Sequence, residues 1–139
     1  MAVTRLSAPH DIVTLHIARG GSALPVMRVL MGGMASRNDL PLDRLDDLHL
    51  AVETLLAEEP ESGGELTLEL STPAGGFRVL LGGLVNQSVK AALVADDLFK
   101  PCPGCLLDVR LILDSLLDSH GVVDMDGVSF GVEMEKRAS

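Results

Sequence analysis

Tryptophan and tyrosine are absent from this 139-residue chain, and phenylalanine occurs only three times. Proteins that read single-stranded nucleic acid stack bases on aromatic platforms, and there is nothing here to build one from. Basic residues are also scarce: 11 Lys and Arg stand against 20 Asp and Glu, a formal net charge of −9 that repels phosphate backbones. Nucleic acid is therefore not expected as a direct partner, whereas a basic protein surface would be steered toward such a chain. No apolar run approaches the ~18 residues of a membrane span. The first ten residues contain no apolar core of signal-peptide type, so a cytoplasmic location and no membrane contact are the expectation. Two cysteines do not make a disulfide scaffold at this length.

What is present is aliphatic. Apolar residues make up 47% of the chain, and a chain of this size buries roughly two-thirds of its unfolded surface as one domain. A single domain over 1–139 is expected, with an ordered core from about 11 to 136 and an irregular stretch over 1–10. From Asp11 to Ala18 the pattern alternates, with Ile12, Thr14 and His16 on one side and Val13, Leu15 and Ile17 on the other, as in a strand. Gly20-Gly21-Ser22 breaks it. Leu24, Met27, Leu30, Met31 and Met34 then recur at helical spacing, with Pro25 tolerated in the first turn. Gly32-Gly33 weakens this helix by about 1 kcal/mol per glycine, which predicts a close neighbour there.

A second helix starts at Pro41 and carries Leu42, Leu45, Leu48, Val52, Leu55 and Leu56 in one stripe, opposite Asp43, Arg44, Asp47 and Glu58. It ends in the acidic run Glu58–Glu61, read as a solvated turn. Glu65–Ser71 alternates as a strand with one wet face. A connection over Thr72–Gly76 leads to a return strand Phe77–Leu81, closed by Gly82-Gly83. Val89–Leu98 reads as a helix, and so does Leu106–Leu117, with Leu106, Val109, Leu113, Leu116 and Leu117 inward. A last hairpin is predicted from Val122–Met125 and Val128–Glu135 around Asp126-Gly127. Strands clustered after pairs of helices specify an α+β two-layer sandwich: a mixed, mainly antiparallel sheet with helices on one face.

That order of elements, together with Met34-Ala35-Ser36-Arg37 and Leu50-Ala51-Val52-Glu53, resembles the anti-sigma-factor serine kinases of the RsbW type, in the GHKL (histidine-kinase-like) ATPase superfamily. The resemblance spans about Asp11 to Lys136 and is specific around 26–56. It implies a Bergerat-like fold, an ATP–Mg²⁺ pocket, and first helices that build both a dimer and a surface for a sigma factor. Family members follow the Leu-Ala-Val run with two carboxylates and then an Asn that holds Mg²⁺, the second carboxylate activating the phosphoacceptor. Here Glu53 is kept, but Thr54 stands at the catalytic Glu position and Glu58 at the Asn position. Shifting the register by one promotes Glu53 and puts Ala57 at the Asn. The family's Asp-x-Gly-x-Gly loop, whose Asp accepts from adenine, corresponds to Gly82-Gly83-Leu84-Val85, with Gly82 at the Asp. The late Gly-x-Gly turn that meets phosphate corresponds to Gly104 followed by Cys105, without a second Gly; Asp108 near that helix start would repel phosphate. Leu84, Leu106 and Leu107 favour a pocket filled by side chains.

Glu53, Thr54, Glu58, Gly82, Gly83 and Gly104 are thus vestigial positions. The expected function is that of a pseudokinase: an anti-sigma-like module with no cofactor, sequestering a sigma factor or an anti-sigma antagonist. It would be a homodimer or a heterodimer with a paralogue. By resemblance its partner surface holds Arg28, Arg37, Asp43, Arg44 and Asp47. The alternative is an active serine kinase with a diverged pocket, using ATP, Mg²⁺ and Glu53 or Glu58.

Cys102-Pro103-Gly104-Cys105 could form a reversible disulfide at a helix start. A zinc site would need two more ligands, and His10, His16, His49 and His120 supply no ligand spacing. Ser22, Ser36 and Ser88 lack any nucleophile context. Met27, Met31 and Met34 fit a core stripe, or else an adaptable partner surface.

Overall fold

The computed structural model describes residues 11–95 and 107–138, with the side chains of Leu107 and Asp108 excepted. The elements run β1 (Ile12–Ala18), α1 (Ala23–Arg37), α2 (Leu42–Ala57), β2 (Glu65–Ser71), β3 (Gly76–Leu84), α3 (Gln87–Val94), α4 (Leu107–Leu116), β4 (Ser119–Asp124) and β5 (Phe130–Arg137). The five strands form one sheet in the order β1-β2-β3-β5-β4. Each neighbouring pair is antiparallel, so the mixed sheet expected from sequence is corrected to a wholly antiparallel one. Two helices, α1 and α2, separate β1 from β2, so the chain reverses at three turns and the two strands lie as antiparallel neighbours. The α3–α4 segment returns β4 in the direction of β3, but β5 lies between them and removes the parallel contact.

Alternation sorts the strands into two faces. Leu66, Leu68 and Leu70 of β2, Phe77, Val79 and Leu81 of β3, and Phe130, Val132 and Met134 of β5 are buried on the helix side. Above them lie Met27, Met31 and Met34 of α1, Leu45, Leu48, Val52 and Leu55 of α2, Val89 and Leu93 of α3, and Val109 and Leu113 of α4. The methionine stripe is therefore core, and the partner-surface reading of it falls. Leu116 packs at the rim of this core and Leu117 inside it, while Leu106 lies outside the described residues. Leu42 is 71% exposed, against expectation. Helical side chains lean toward the N-terminus, so a residue in the first turn of α2 points off the helix end rather than onto the sheet.

Local chemistry sets the boundaries. Asn86 caps α3, its side chain accepting from the Ser88 and Val89 amides, so the helix begins two residues before the apolar pattern does. The strand β3 does not stop at Leu81. It continues through a bulge between Leu81 and Leu84, which buries both leucines on one face. Gly83 occupies the bulge with φ +84, and a Cβ there would stand 2.4 Å from the Glu65 carbonyl oxygen. Gly82 lies under Met125, whose Cε, like Thr67 Oγ1, would be 2.5 Å from an added Cβ. The last hairpin starts earlier and ends later than the apolar pattern, because Ser119, His120, Lys136 and Arg137 all pair in register.

Gly32 and Gly33 overturn the expectation of a close neighbour: a Cβ at either would meet nothing within 4 Å. Among the described residues, nothing packs there to compensate their cost to helix stability. Two glycine substitutions should therefore move stability in opposite directions. Gly33→Ala is expected to raise the urea midpoint by about 1 kcal/mol equivalent. Gly83→Ala is expected to lose at least about 1–3 kcal/mol from backbone strain, with a further loss from the carbonyl clash.

Candidate functional site

Where β1 ends, the chain turns into α1 beside the C-terminal end of α2. Arg19 is held there, nearly closed to solvent, against Glu59; their side chains are 4% and 3% exposed. Arg19 Nη1 donates to Glu59 Oε1 at 2.6 Å, Nε to the Gly63 carbonyl at 2.8 Å and Nη2 to the Gly83 carbonyl at 2.6 Å. Glu59 also accepts from the backbone amides of Val85 (3.0 Å to Oε1) and Asn86 (3.0 Å to Oε2). Asn86 Nδ2 returns a bond to the Glu58 carbonyl at 2.7 Å. Every arm of the guanidinium and both carboxylate oxygens are satisfied, which offsets the several kcal/mol needed to dehydrate each ion. The solvated reading of the acidic run fails at Glu59: the neighbouring bulge and the start of α3 supply donors that no local pattern reveals.

Beside this pair lies a cleft of ≈ 410 Å³, walled by Gly20, Gly21 and Leu24 at the start of α1, by Glu53, Leu56 and Ala57 of α2, and by Pro60 and Glu61. Two of its three carboxylates are paired with cations of the chain. Glu59 is neutralised by Arg19, and Glu53 Oε1 accepts from Arg28 Nη2 at 2.6 Å across the α1–α2 seam. Thr54 Oγ1 donates to the Leu50 carbonyl at 2.7 Å, one turn back along its own helix. Among the described residues, no group of three His, Cys, Asp or Glu side chains is placed to hold a metal ion. Gly82 faces Thr67 and Met125 on the side of the sheet opposite the helices, away from this cleft. Gly104, Cys102 and Cys105 lie outside the described residues, as does His10.

The five residues assigned to partner binding make different contacts within the chain. Arg28 lies in the α1–α2 seam with Glu53. Arg37 reaches Asp11 at the foot of β1, Nε to Oδ2 at 2.8 Å. Asp43 Oδ1 accepts from the Arg44 amide in the first turn of α2. Asp47 faces the other way and binds Lys136 Nζ at 2.8 Å, while the same ammonium donates to the Leu116 carbonyl at 2.6 Å. Lys136 is largely buried, so Asp47 is its counter-ion and ties α2 to β5 and the end of α4. The sequence pattern ends this strand at Glu135, so nothing local marks Lys136 as buried or names its partner.

The histidines have structural surroundings. His16 Nδ1 lies 3.3 Å from Glu65, and His120 Nε2 lies 2.6 Å from Asp114. His49 Nε2 is buried without a hydrogen-bond partner among the described residues. Burial lowers its pKa and Arg28 lowers it further, against a smaller pull upward from Asp46. Two carboxyl groups are held below the ordinary range. The Arg137 amide, donating at 2.6 Å, is the main cause for Asp118. Asn38 and then Arg37 lower Asp11.

No protein-family model matches the sequence, and no curated protein is detectably similar to it in sequence. A chain from the crystal structure of the SiaB–SiaC complex from Pseudomonas aeruginosa is similar in structure, with a TM-score of 0.53. The match covers 98% of this chain and 95% of that one, at 8% sequence identity. At that identity the likeness establishes a shared α+β architecture.

Removing one member of the buried pair should be costly and removing the exposed carboxylate should not. Glu59→Ala is expected to lose about 3–5 kcal/mol of unfolding free energy, and Glu53→Ala less than about 1 kcal/mol, both read from urea melts. Acid should weaken the fold in two stages. His49 has a folded pKa below its unfolded value of 6.5, so the unfolded chain takes up the proton first and stability declines as pH falls below 6.5. Asp11 and Asp118 have folded values below 3.8, so their contribution is complete above 3.8 and lost as pH falls through the folded values. A His49→Gln chain should lack the first stage and keep the second.

Proposed function

We propose that this chain is a regulatory protein-binding domain on a histidine-kinase-like scaffold, and that it acts by occluding its partner without transferring phosphate. The carrying observation is the engagement of the residues at the positions where the resemblance requires a general base. Glu53 is paired with Arg28 and Thr54 is bonded within its own helix. Gly82, at the adenine-binding position, faces the opposite side of the sheet beneath Met125. These arrangements support a pseudokinase, with Glu53, Thr54, Glu58, Gly82 and Gly83 as vestigial positions and no ATP or Mg²⁺ at work.

A protein partner is supported by the architecture shared with a chain crystallised in a two-protein assembly. Further support comes from the net charge of −9, which steers basic surfaces inward. A sigma factor or an anti-sigma antagonist fits that chemistry. The proposed contact is the outer side of α1 and α2, which carries Arg28, Arg37, Asp43, Arg44 and Asp47 and on which Val29, Leu42 and Leu50 are exposed. Apolar anchors ringed by charges are what a protein interface needs at its centre.

Titrating the chain with ATP and Mg²⁺ while following its Tm separates this reading from an active kinase. Saturation at 100 times Kd would add about 2.7 kcal/mol, a shift of several degrees for a domain of this size. The expected outcome is no shift at millimolar nucleotide; a Mg²⁺-dependent rise would give the kinase reading the lead. For a partner once identified, Leu50→Ala or Leu42→Ala should weaken binding by about 2 kcal/mol if either is a hot spot, without loss of fold.

A further inference from the structure

We propose that the cleft beside the Arg19–Glu59 pair is a binding site for a small aliphatic diamine, a methylene chain with an ammonium at each end. Its volume of ≈ 410 Å³ falls within the roughly 300–1,000 Å³ of small-molecule sites. The wall selects the chemistry of the ligand. Ala23 and Leu66 are buried in it, and Leu24 and Leu56 are partly open to it. Its lining residues include no aromatic ring on which a planar base would stack. A flexible aliphatic chain fits such a surface.

Charge sets the sign. Glu53, Glu59 and Glu61 line the cleft against one guanidinium, Arg19, which Glu59 already engages. Glu53 and Glu61 remain for a ligand. Arg28 takes only Oε1 of Glu53, in an exposed pair, so Oε2 is open to a second donor. The Glu61 side chain has no partner among the described residues. The C-terminal end of α2 adds partial negative charge, and its last turn holds no basic residue to offset it. The start of α1 opposes this with about half a positive charge, which two full carboxylates outweigh. An anion is disfavoured here, and a ligand ammonium supplies the cation that α2 lacks.

Two separated carboxylates call for two ammonium groups. Glu53 stands about 6 Å along the axis from Ala57, the last residue of α2, at 1.5 Å per residue. Glu61 lies beyond the helix end, where its carbonyl oxygen would stand 3.9 Å from a Cβ at Gly20 on the opposite lip. Leu56, Ala57 and Pro60 fall between the two carboxylates in the chain and line the same cleft. A monoamine satisfies one carboxylate and leaves the other. A divalent metal ion finds no group of three ligands among the described residues and gains nothing from the apolar wall. A diamine meets both carboxylates and lays its methylenes on Leu24 and Leu56. The ligand is a small molecule and no protein partner takes part, so failure here would leave the partner-occlusion reading untouched.

Butanediamine titrated into the full chain at physiological salt, followed by amide chemical shifts, tests the site. Saturable one-to-one shifts are expected at Gly20, Gly21, Leu24 and Leu56, with butylamine binding at least about tenfold more weakly. Glu61→Gln and Glu53→Gln should each weaken the diamine about tenfold, whereas Glu69→Gln, on the open face of the sheet, should change nothing. Ala57→Leu narrows the cleft without altering charge and should weaken binding as well. All four positions are at least partly exposed, so the variants should fold. The absence of binding at millimolar diamine overturns the proposal. Shifts scattered over the acidic surface, or equal affinity for butylamine, overturn it too. So does binding that neither Glu61→Gln nor Ala57→Leu weakens, since the diamine would then be a counter-ion to the net charge.

Discussion

The buried contact between Arg19 and Glu59 joins several distant parts of the chain. Arg19 ends β1; Glu59 follows α2; Gly63 leads into β2; Gly83 is the bulge of β3; Val85 and Asn86 start α3. A guanidinium is suited to this because its donors diverge in a rigid plane and can serve three acceptors at once. Each ion loses its hydration, so the cluster tolerates no partial occupancy: either every donor finds its acceptor or the charge is stranded. That condition fixes where the helical hairpin lands on the sheet, and the bulge at Gly83 is what brings its carbonyl within reach.

A second, smaller version of the same device operates at the far end of α2. Lys136 enters the helix layer from β5 and is met by Asp47 and by the exposed end of α4 at Leu116. A cation near the C-terminal carbonyls of a helix is favourable on its own account, and the carboxylate completes it. Between these two polar anchors the layers are held by apolar side chains, chiefly leucine, valine and methionine with Phe77 and Phe130. Methionine suits the α1 positions because it fills irregular gaps where β-branched residues would not.

Polar groups that would be expected to do chemistry are thereby used for architecture. Glu53, Asp47 and Glu59 each neutralise a cation of the chain itself, and Thr54 is bonded to its own helix. Among the described residues, what stays exposed is of another kind: aliphatic side chains on α1 and α2, a glycine pair on α1 with open space around it, and the outer edge of β1.

The succession of elements was legible in the sequence because it rests on periodicity, and the alternation in Glu65–Ser71 and the stripe from Leu45 to Leu55 are local facts. The side on which the helices lie was legible for the same reason. The insertion of β5 between β3 and β4 was not, since strand order depends on contacts between residues far apart in the chain. Nor was the fate of the charges. Glu58 and Glu59 are neighbours of identical type, and only the approach of Arg19 and the two amides after β3 buries Glu59. Gly82 and Gly83 likewise read as remnants of a ligand loop, whereas their surroundings in the fold are Met125 on one side and the Glu65 carbonyl on the other. Local pattern determines which residues turn inward. Which polar groups meet there is decided by the packing of distant segments, because a buried charge is stable only where the whole set of its partners arrives together.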